Sequence, residues 1–453
     1  MGLKPGALAT DTCATKQGSE DKMALYNGNN SDNLITGSVL ADQIYGRGGN
    51  DVLDGGDGND LIDGGNDHDV LYGGAGHDSL YGGSGNDNLI GGAGDDQLYG
   101  GQGQDWATYT GGAAIVANLN TGLVTGQGSD TLNGIENIMG SDFADILQGN
   151  ASANKLHGGG GDDRFVVSYG YDELVGGTGT DVLDFINAGP VQVSLLQGTY
   201  YMNNNNAGTA TGFEDILGGN SNDLLRGDNG ANRIDGRGGQ DTLDGQGGAD
   251  VLTASGGHDS LTGGAGNDSF VIAASSGNIV ISDFTQGSDV IDLSHYFDQN
   301  GQSAVWSASA AQQGANTVLT LTGAAQTVTV TLNNVVRANL TAADFVNPAP
   351  TLPAPVYVPT GDVFVATPVS GGGAQSLVIG QFDDGLDLID LSAFGYVYDS
   401  GLNDYVATVW YDNGLRQAGG DVVTTFHDGS GATFTLVIGN TQLSQIDLGD
   451  FIF

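Results

Sequence analysis

Eight aspartates, Asp42, Asp51, Asp60, Asp69, Asp78, Asp87, Asp96 and Asp105, follow one another at an unbroken spacing of nine. So strict a period makes each nonapeptide a structural unit stacked on its neighbours, which constrains the chain to a repetitive architecture. The best-formed units read GGDGNDLID (55–63), GGAGHDSLY (73–81), GGSGNDNLI (82–90) and GGAGDDQLY (91–99). Glycine reaches backbone conformations closed to other residues, so GGxGx can curl into a tight turn. What remains is a very short strand with its middle side chain inward. That makes Ile44, Leu53, Ile62, Leu71, Leu80, Leu89 and Leu98 the predicted core.

The charge balance is 11 basic against 54 acidic residues, a net −43. Nucleic-acid binding needs the opposite sign and is excluded, as is direct attraction to an anionic membrane. Net charge of this size can also mark a disordered chain. Here the acids lie in register rather than in blocks, which points to order conditional on a cation. The 80 glycines fit a solenoid better than a compact core. Cys13 is the only cysteine, so no internal disulfide forms; it is either a free thiol or a link between chains. The opening residues lack the apolar stretch of a secretory signal, and no segment reaches the length of a membrane span. The expectation is a cytosolic chain or one exported without an N-terminal signal.

The repeated GGxGxDxUx pattern resembles the RTX calcium-binding β-roll family. The resemblance implies that two nonapeptides make one coil, so residues 18 apart stack. It predicts one ladder of Asp42, Asp60, Asp78 and Asp96 and an opposite ladder of Asp51, Asp69, Asp87 and Asp105. Stacked strands lie ~4.8 Å apart. Bare carboxylates at that distance repel by about 3.5 kcal/mol per pair at an effective dielectric of ~20. Ca²⁺ between them reverses the sign, with turn carbonyls completing its oxygen shell. The competing reading is that these aspartates only satisfy turns, which does not by itself demand a period of nine.

The period returns in a second block through Asp145, Asn154, Asp163, Asp172 and Asp181, and in a third through Asp223, Asn232, Asp241, Asp250, Asp259 and Asp268. The aspartates expected to bind calcium here are Asp145, Asp163, Asp181, Asp223, Asp241, Asp250, Asp259 and Asp268. Asn154 and Asn232 carry a neutral amide, and Asp172 lies in VSYGYDELV without the glycine turn. Those three are expected to hold calcium weakly or not at all. Phe270 takes the inward place after Asp268. Two spacers divide the blocks. Each runs from a short alternating strand, AAIVANLNTG (113–122) or PVQVSLLQG (190–198), to an IEN or FED turn. They read as wider coils inserted in the roll.

Near residue 270 valine, threonine and serine replace glycine and aspartate. FVIAASSGNIVISDFTQGSDVIDLSHYF (270–297) resembles the cap of serralysin-type secreted proteins, and the pattern returns in VFVATPVSGGGAQSLVIGQFDDGLDLIDLSAF (363–394). The fold class expected is all-β: a parallel β-roll in consecutive blocks with inserted wider coils, then two β-rich C-terminal cap modules. The boundaries read as an N-terminal segment 1–26, a first block 27–109, a spacer 110–138, a second block 139–184 and a spacer 185–217. A third block with its cap spans 218–346, a proline-rich linker 347–360 and a second cap module 361–453. The final Asp450, Phe451, Ile452 and Phe453 resemble the type I secretion ending of serralysin relatives.

These readings predict a calcium-triggered folding switch coupled to export: unfolded at low cytosolic calcium, folded outside, where calcium modules bind with Kd around 10⁻⁴–10⁻³ M. Catalysis is not expected. Only 26 residues precede the first repeat, and neither HExxH nor GxSxG occurs. His68, His77 and His258 read as variable turn residues. Three roles follow: a self-assembling S-layer or filament subunit at the cell surface, an adhesin for a surface glycan, or the non-catalytic export portion of a secreted enzyme. Tyr200, Tyr201, Trp306, Trp410 and Tyr411 are candidate glycan contacts, with burial in the β-core the competing fate. The partners expected are copies of the chain itself, the type I secretion machinery and a surface glycan, with no nucleic acid and no membrane insertion.

Overall fold

The computed structural model describes residues 15–17 and 23–346, apart from 204–205, 274–275, 295–306 and 323–326, and the backbone of strands between 363 and 452. The chain divides into two units, Met1–Ala349 and Pro350–Phe453. Cys13, Trp306, Trp410, Tyr411, Asp450, Phe453 and the proline-rich linker lie outside the described residues.

In the first unit successive nonapeptides fall alternately on two walls of a parallel β-solenoid of ~15 turns. The first wall opens with Leu25–Asn27, Gln43–Arg47, Leu61–Asn66, Ser79–Ser84 and Gln97–Gln102, paired in parallel. The second opens with Leu34–Ser38, Val52–Asp57, Val70–Ala75, Asn88–Ala93 and Trp106–Thr108. Registers run at 18: Ile44 lies beside Ile62, then Leu80 and Leu98, and Leu53 beside Leu71 and Leu89. The seven predicted core residues and Phe270 are all fully buried. A period of two along each short strand puts this one apolar side chain between the walls. Glycine supplies the turn: Gly74, Gly83 and Gly92 have φ of +106°, +108° and +100°, a region that residues with a Cβ rarely enter.

The widening expected of the two spacers takes a specific form. Val116–Asn118, Leu123–Thr125 and Ser129–Asn133 form an antiparallel meander let into the first wall. Its last strand pairs in parallel with Gln97–Gln102 before it, and its first with Ile146–Gln148 after it. Lacking GGxGx, this segment reverses direction. Asn118 Oδ1 accepts the N–H groups of Asn120 and Thr121, and Gly122 sits at φ +70°. A second meander, Val191–Ser194, Thr199–Met202 and Asn206–Thr211, enters the second wall between Glu173–Thr178 and Leu224–Arg226 in the same manner.

The segment read as a cap begins as ordinary roll: Ser269–Ile272, Val290–Asp292 and Phe345–Val346 continue the first wall. A third meander, Ser307–Gln313, Asn316–Thr322 and Thr327–Leu332, then attaches to the second wall through Asn278–Ile281. The second unit repeats this pairing. Val363–Val365, Leu388–Asp390 and Phe451–Ile452 pair in parallel. Gln375–Ile379 pairs in parallel with Thr433–Ile438, which continues antiparallel to Asp421–His427 and Arg416–Ala418. Phe451 and Ile452 of the expected secretion ending thus form a strand in the second unit. Among the described residues no helix is long and apolar enough to cross a membrane.

Candidate metal centres

The turn aspartates form the two predicted ladders, and hydrogen bonds tie each rung to the next. Asp42 N–H donates to Asp60 Oδ1 at 2.7 Å, Asp60 to Asp78 at 2.7 Å and Asp78 to Asp96 at 2.8 Å. Opposite, Asp51 donates to Asp69 at 2.8 Å, Asp69 to Asp87 at 2.9 Å and Asp87 to Asp105 at 2.8 Å. The same link joins Asp145 to Asp163 and Asp163 to Asp181, Asp223 to Asp241 and Asp241 to Asp259, and Asp250 to Asp268. One carboxylate oxygen therefore does satisfy a turn, as the simpler reading held.

The other oxygen does not. Oδ2 of Asp51, Asp60, Asp69, Asp78, Asp87, Asp96 and Asp105 is buried with no hydrogen-bond partner, as is that of Asp163, Asp181, Asp241, Asp250, Asp259 and Asp268. A buried ionised acceptor without a donor is costly. The carboxyls respond accordingly. Asp69, Asp78, Asp163 and Asp250 are pushed up to about 7 and Asp241 to about 8. Burial is the main cause in each, and the charges of neighbouring rungs add to it; for Asp69 these are Asp51 and Asp87.

The space around Oδ2 is reserved as well. A Cβ on Gly73, Gly82, Gly91 or Gly100 would lie 2.5 to 2.6 Å from the Oδ2 five residues later, so only glycine leaves that cradle open. Among the described residues no three His, Cys, Asp or Glu side chains converge on one point. A cation here would rest on the rung carboxylates and the main-chain carbonyls of the turns. That all-oxygen set suits Ca²⁺, which tolerates irregular, carbonyl-rich shells. The thirteen partnerless Oδ2 atoms fit such an ion, and its charge would supply what no donor in the chain supplies.

Three sequence-predicted ligands differ. Asp42, Asp145 and Asp223 each open a block, and their Oδ2 atoms already accept a main-chain N–H four residues back: Ser38 at 2.7 Å, Ser141 at 2.6 Å and Gly219 at 2.8 Å. At Asn154 and Asn232, Oδ1 accepts the corresponding N–H from Asn150 or Asp228. Their Nδ2 donates to the carbonyl of Glu136 or Glu214, 18 residues back. The amide closes the site that a carboxylate leaves open. Asp172 Oδ1 accepts Asn154 N–H, and its Oδ2 takes the Tyr200 hydroxyl at 3.4 Å. Tyr200 is fully buried whereas Tyr201 is exposed.

The ladders have terminators that sequence reasoning missed. Asp96 N–H donates to Asp130, Asp105 to Glu136 Oε2, Asp181 to Glu214 Oε2 and Asp268 to Asp289. The signal for two of them was visible: the acidic residue of the IEN and FED turns stands where the next rung would fall. A second, outer ladder also escaped notice. Asn50 Oδ1 accepts the N–H of His68, and His68 Nδ1 accepts that of Asn86. His77 and His258 likewise accept from Asp95 and Asn278 through Nδ1. These histidines are exposed, and where this position carries Asn, Asp or His its δ1 atom serves as the acceptor.

A family match agrees with this geometry. A family model described as the RTX calcium-binding nonapeptide repeat (4 copies) matches residues 27–62, 36–71, 72–107, 139–168, 157–185, 210–243, 217–252 and 244–271. No curated protein matches. Among solved structures, the extracellular lipase LipA from Serratia marcescens is 20% identical over 49% of this chain and 44% of its own, with a TM-score of 0.25. Two solution structures from the Azotobacter vinelandii mannuronan C5-epimerase also match. Its AlgE6R3 subunit is 30% identical over 28% of this chain and 78% of its own (TM-score 0.24), and its AlgE6R2 subunit 31% over 30% and 95% (TM-score 0.25). The chain spans less than half the length of the lipase. With orphaned carboxylates in register and the repeat model matching all three blocks, the chain carries RTX calcium-binding nonapeptide repeats, which form the straight blocks of its solenoid.

Proposed function

We propose that this protein is a secreted structural subunit that folds on binding calcium and assembles at the cell surface, as an S-layer or filament. The observation that carries the reading is the set of thirteen buried carboxylate oxygens without a donor. Metal-free, each is an uncompensated acceptor, so low calcium favours the open chain. Millimolar calcium outside supplies the missing charge and folds the roll. RTX repeat proteins are typically secreted, and export by the type I route is part of this proposal. The repeats are a binding scaffold rather than a catalytic one, which supports a structural role for the chain. Circular dichroism and negative-stain electron microscopy on protein purified in chelator, then given millimolar calcium, test this. Folding into sheets or filaments supports the reading, folding into dispersed particles removes the assembly half, and no calcium response removes it entirely.

A second reading, an adhesin for a surface glycan, is favoured by one feature. Tyr81 and Tyr99 stack in parallel on the outer face of the first wall, ring centres 4.7 Å apart, and such faces suit sugar rings. Retention on a glycan array that is lost on Tyr81→Ala would support it.

A further inference from the structure

The chain itself shows what the open end of a meander takes. In the first two meanders the leading strand is covered on its free edge by the next roll strand, in parallel: Ala117 lies beside Leu147, and Val193 beside Leu225. In the third meander the leading strand, Ser307–Gln313, pairs with Asn316–Thr322 on one edge only among the described residues. Its sequence, SASAAQQ, carries no charge and no proline, the usual devices that keep a sheet edge from pairing.

The opposite end of the same wall is also open. Leu34–Ser38 pairs with Val52–Asp57 and with nothing before it among the described residues, whereas the first wall is closed there by the antiparallel strand Thr15–Gln17. Met23, Leu34 and Val39 are exposed at this end. Asn33 gives a sharper sign. Its Oδ1 accepts Asn29 N–H at 2.8 Å, as Asn154 and Asn232 accept theirs. Yet its Nδ2 is buried with no partner, while theirs donate to a carbonyl of the preceding coil. Asn33 is built to receive a coil that the described residues do not place there.

We propose that the two open edges meet between copies: Leu34–Ser38 of one chain adds in parallel to Ser307–Gln313 of another, with Asn33 Nδ2 donating to a carbonyl across the junction. The contact joins unlike surfaces head to tail, so it propagates into a filament unless rotation closes a ring. It rests on the assembly reading above and names the surface that reading needs.

The test uses the full chain in millimolar calcium, with mass by light scattering and folding by circular dichroism. Two variants place a charge on one edge each: Leu34→Lys and Ala311→Lys. Both positions are exposed, so the calcium-induced fold is expected to be retained. The wild type is expected to form a concentration-dependent series of oligomers, and each variant alone to be monomeric. An equimolar mixture of the variants should then form dimers and nothing longer, because only one intact pair of edges remains. Oligomers that ignore both substitutions would overturn this contact while leaving assembly in place. A wild-type chain that folds with calcium but stays monomeric would overturn both, the edge then being covered by the chain's own residues. Failure of either variant to fold is met by Asn33→Asp, which keeps the acceptor for Asn29 and puts a carboxylate oxygen where the donor stood. Weakened association is then expected, and unchanged association would count against the proposal.

Discussion

Asp78→Asn should change stability in opposite directions with and without calcium. The side chain keeps its shape, and Oδ1 can still accept the Asp60 N–H. What disappears is the charge on the buried Oδ2. The Asp78 carboxyl is pushed up to about 7 from an ordinary 3.8, first by burial and then by the charges of Asp96 and Asp60. At about 1.4 kcal/mol per pH unit, holding it ionised at pH 8 costs the metal-free fold up to about 4 kcal/mol. Neighbouring rungs relax part of that, so about 1 to 3 kcal/mol of it should return on substitution. In chelator at pH 8 the variant should therefore resist thermal unfolding better than the wild type. In millimolar calcium the order should reverse, because the ion loses an anionic ligand and the amide nitrogen meets it with the wrong sign. Unfolding followed by circular dichroism in both buffers reads the two signs directly. If the substitution destabilises the protein equally in chelator and calcium, Oδ2 has no cation role and the carboxylate is only a turn residue.

Other perturbations follow from the same geometry. Gly91→Ala puts a methyl 2.5 Å from Asp96 Oδ2 and should raise the calcium needed for half-folding at least several-fold, as titration by circular dichroism would show. Asp145→Asn, whose Oδ2 is already engaged by Ser141, should lower the number of ions bound by isothermal titration less than Asp163→Asn does. In chelator, acidification should order the roll. Raised carboxyls favour the fold when protonated, so stability is greatest near and below pH 4 and is lost as pH climbs through about 6 to 8. With calcium the trend should reverse, since the ion needs ionised ligands; melting at pH 5 and pH 8 in each buffer decides it.

Period and chemistry made much of this molecule readable. Leu53, Leu71 and Leu89 are buried because an 18-residue coil admits one apolar side chain per short strand, and the two aspartate ladders follow from the same arithmetic. Other features depend on contacts far along the chain. Nothing local to Asp130 says that it ends a ladder 34 residues away from Asp96. The spacers were legible as interruptions, but their antiparallel path depends on turn chemistry at Asn118 and Gly122. The outer row of His68, His77 and His258 was hidden because Asn, Asp and His look variable until their shared δ1 acceptor is seen.

The placement of the meanders has a mechanical consequence. Each adds two strands to one wall and none to the other, a difference of about 10 Å in length. A stack with one long side either bows outward there or tilts, as a wedge tilts a pile of plates. The first wedge sits in the first wall and the second in the second, so the second takes back any lean that the first imposes. Both joints also lack an open carboxylate cradle at their asparagines, and the second is pinned by buried Asp184 held between Arg164 and Arg237. Ion-stiffened segments thus alternate with joints whose bracing is set by the polypeptide, and load along the axis would be borne by calcium in the segments and by side chains at the bends.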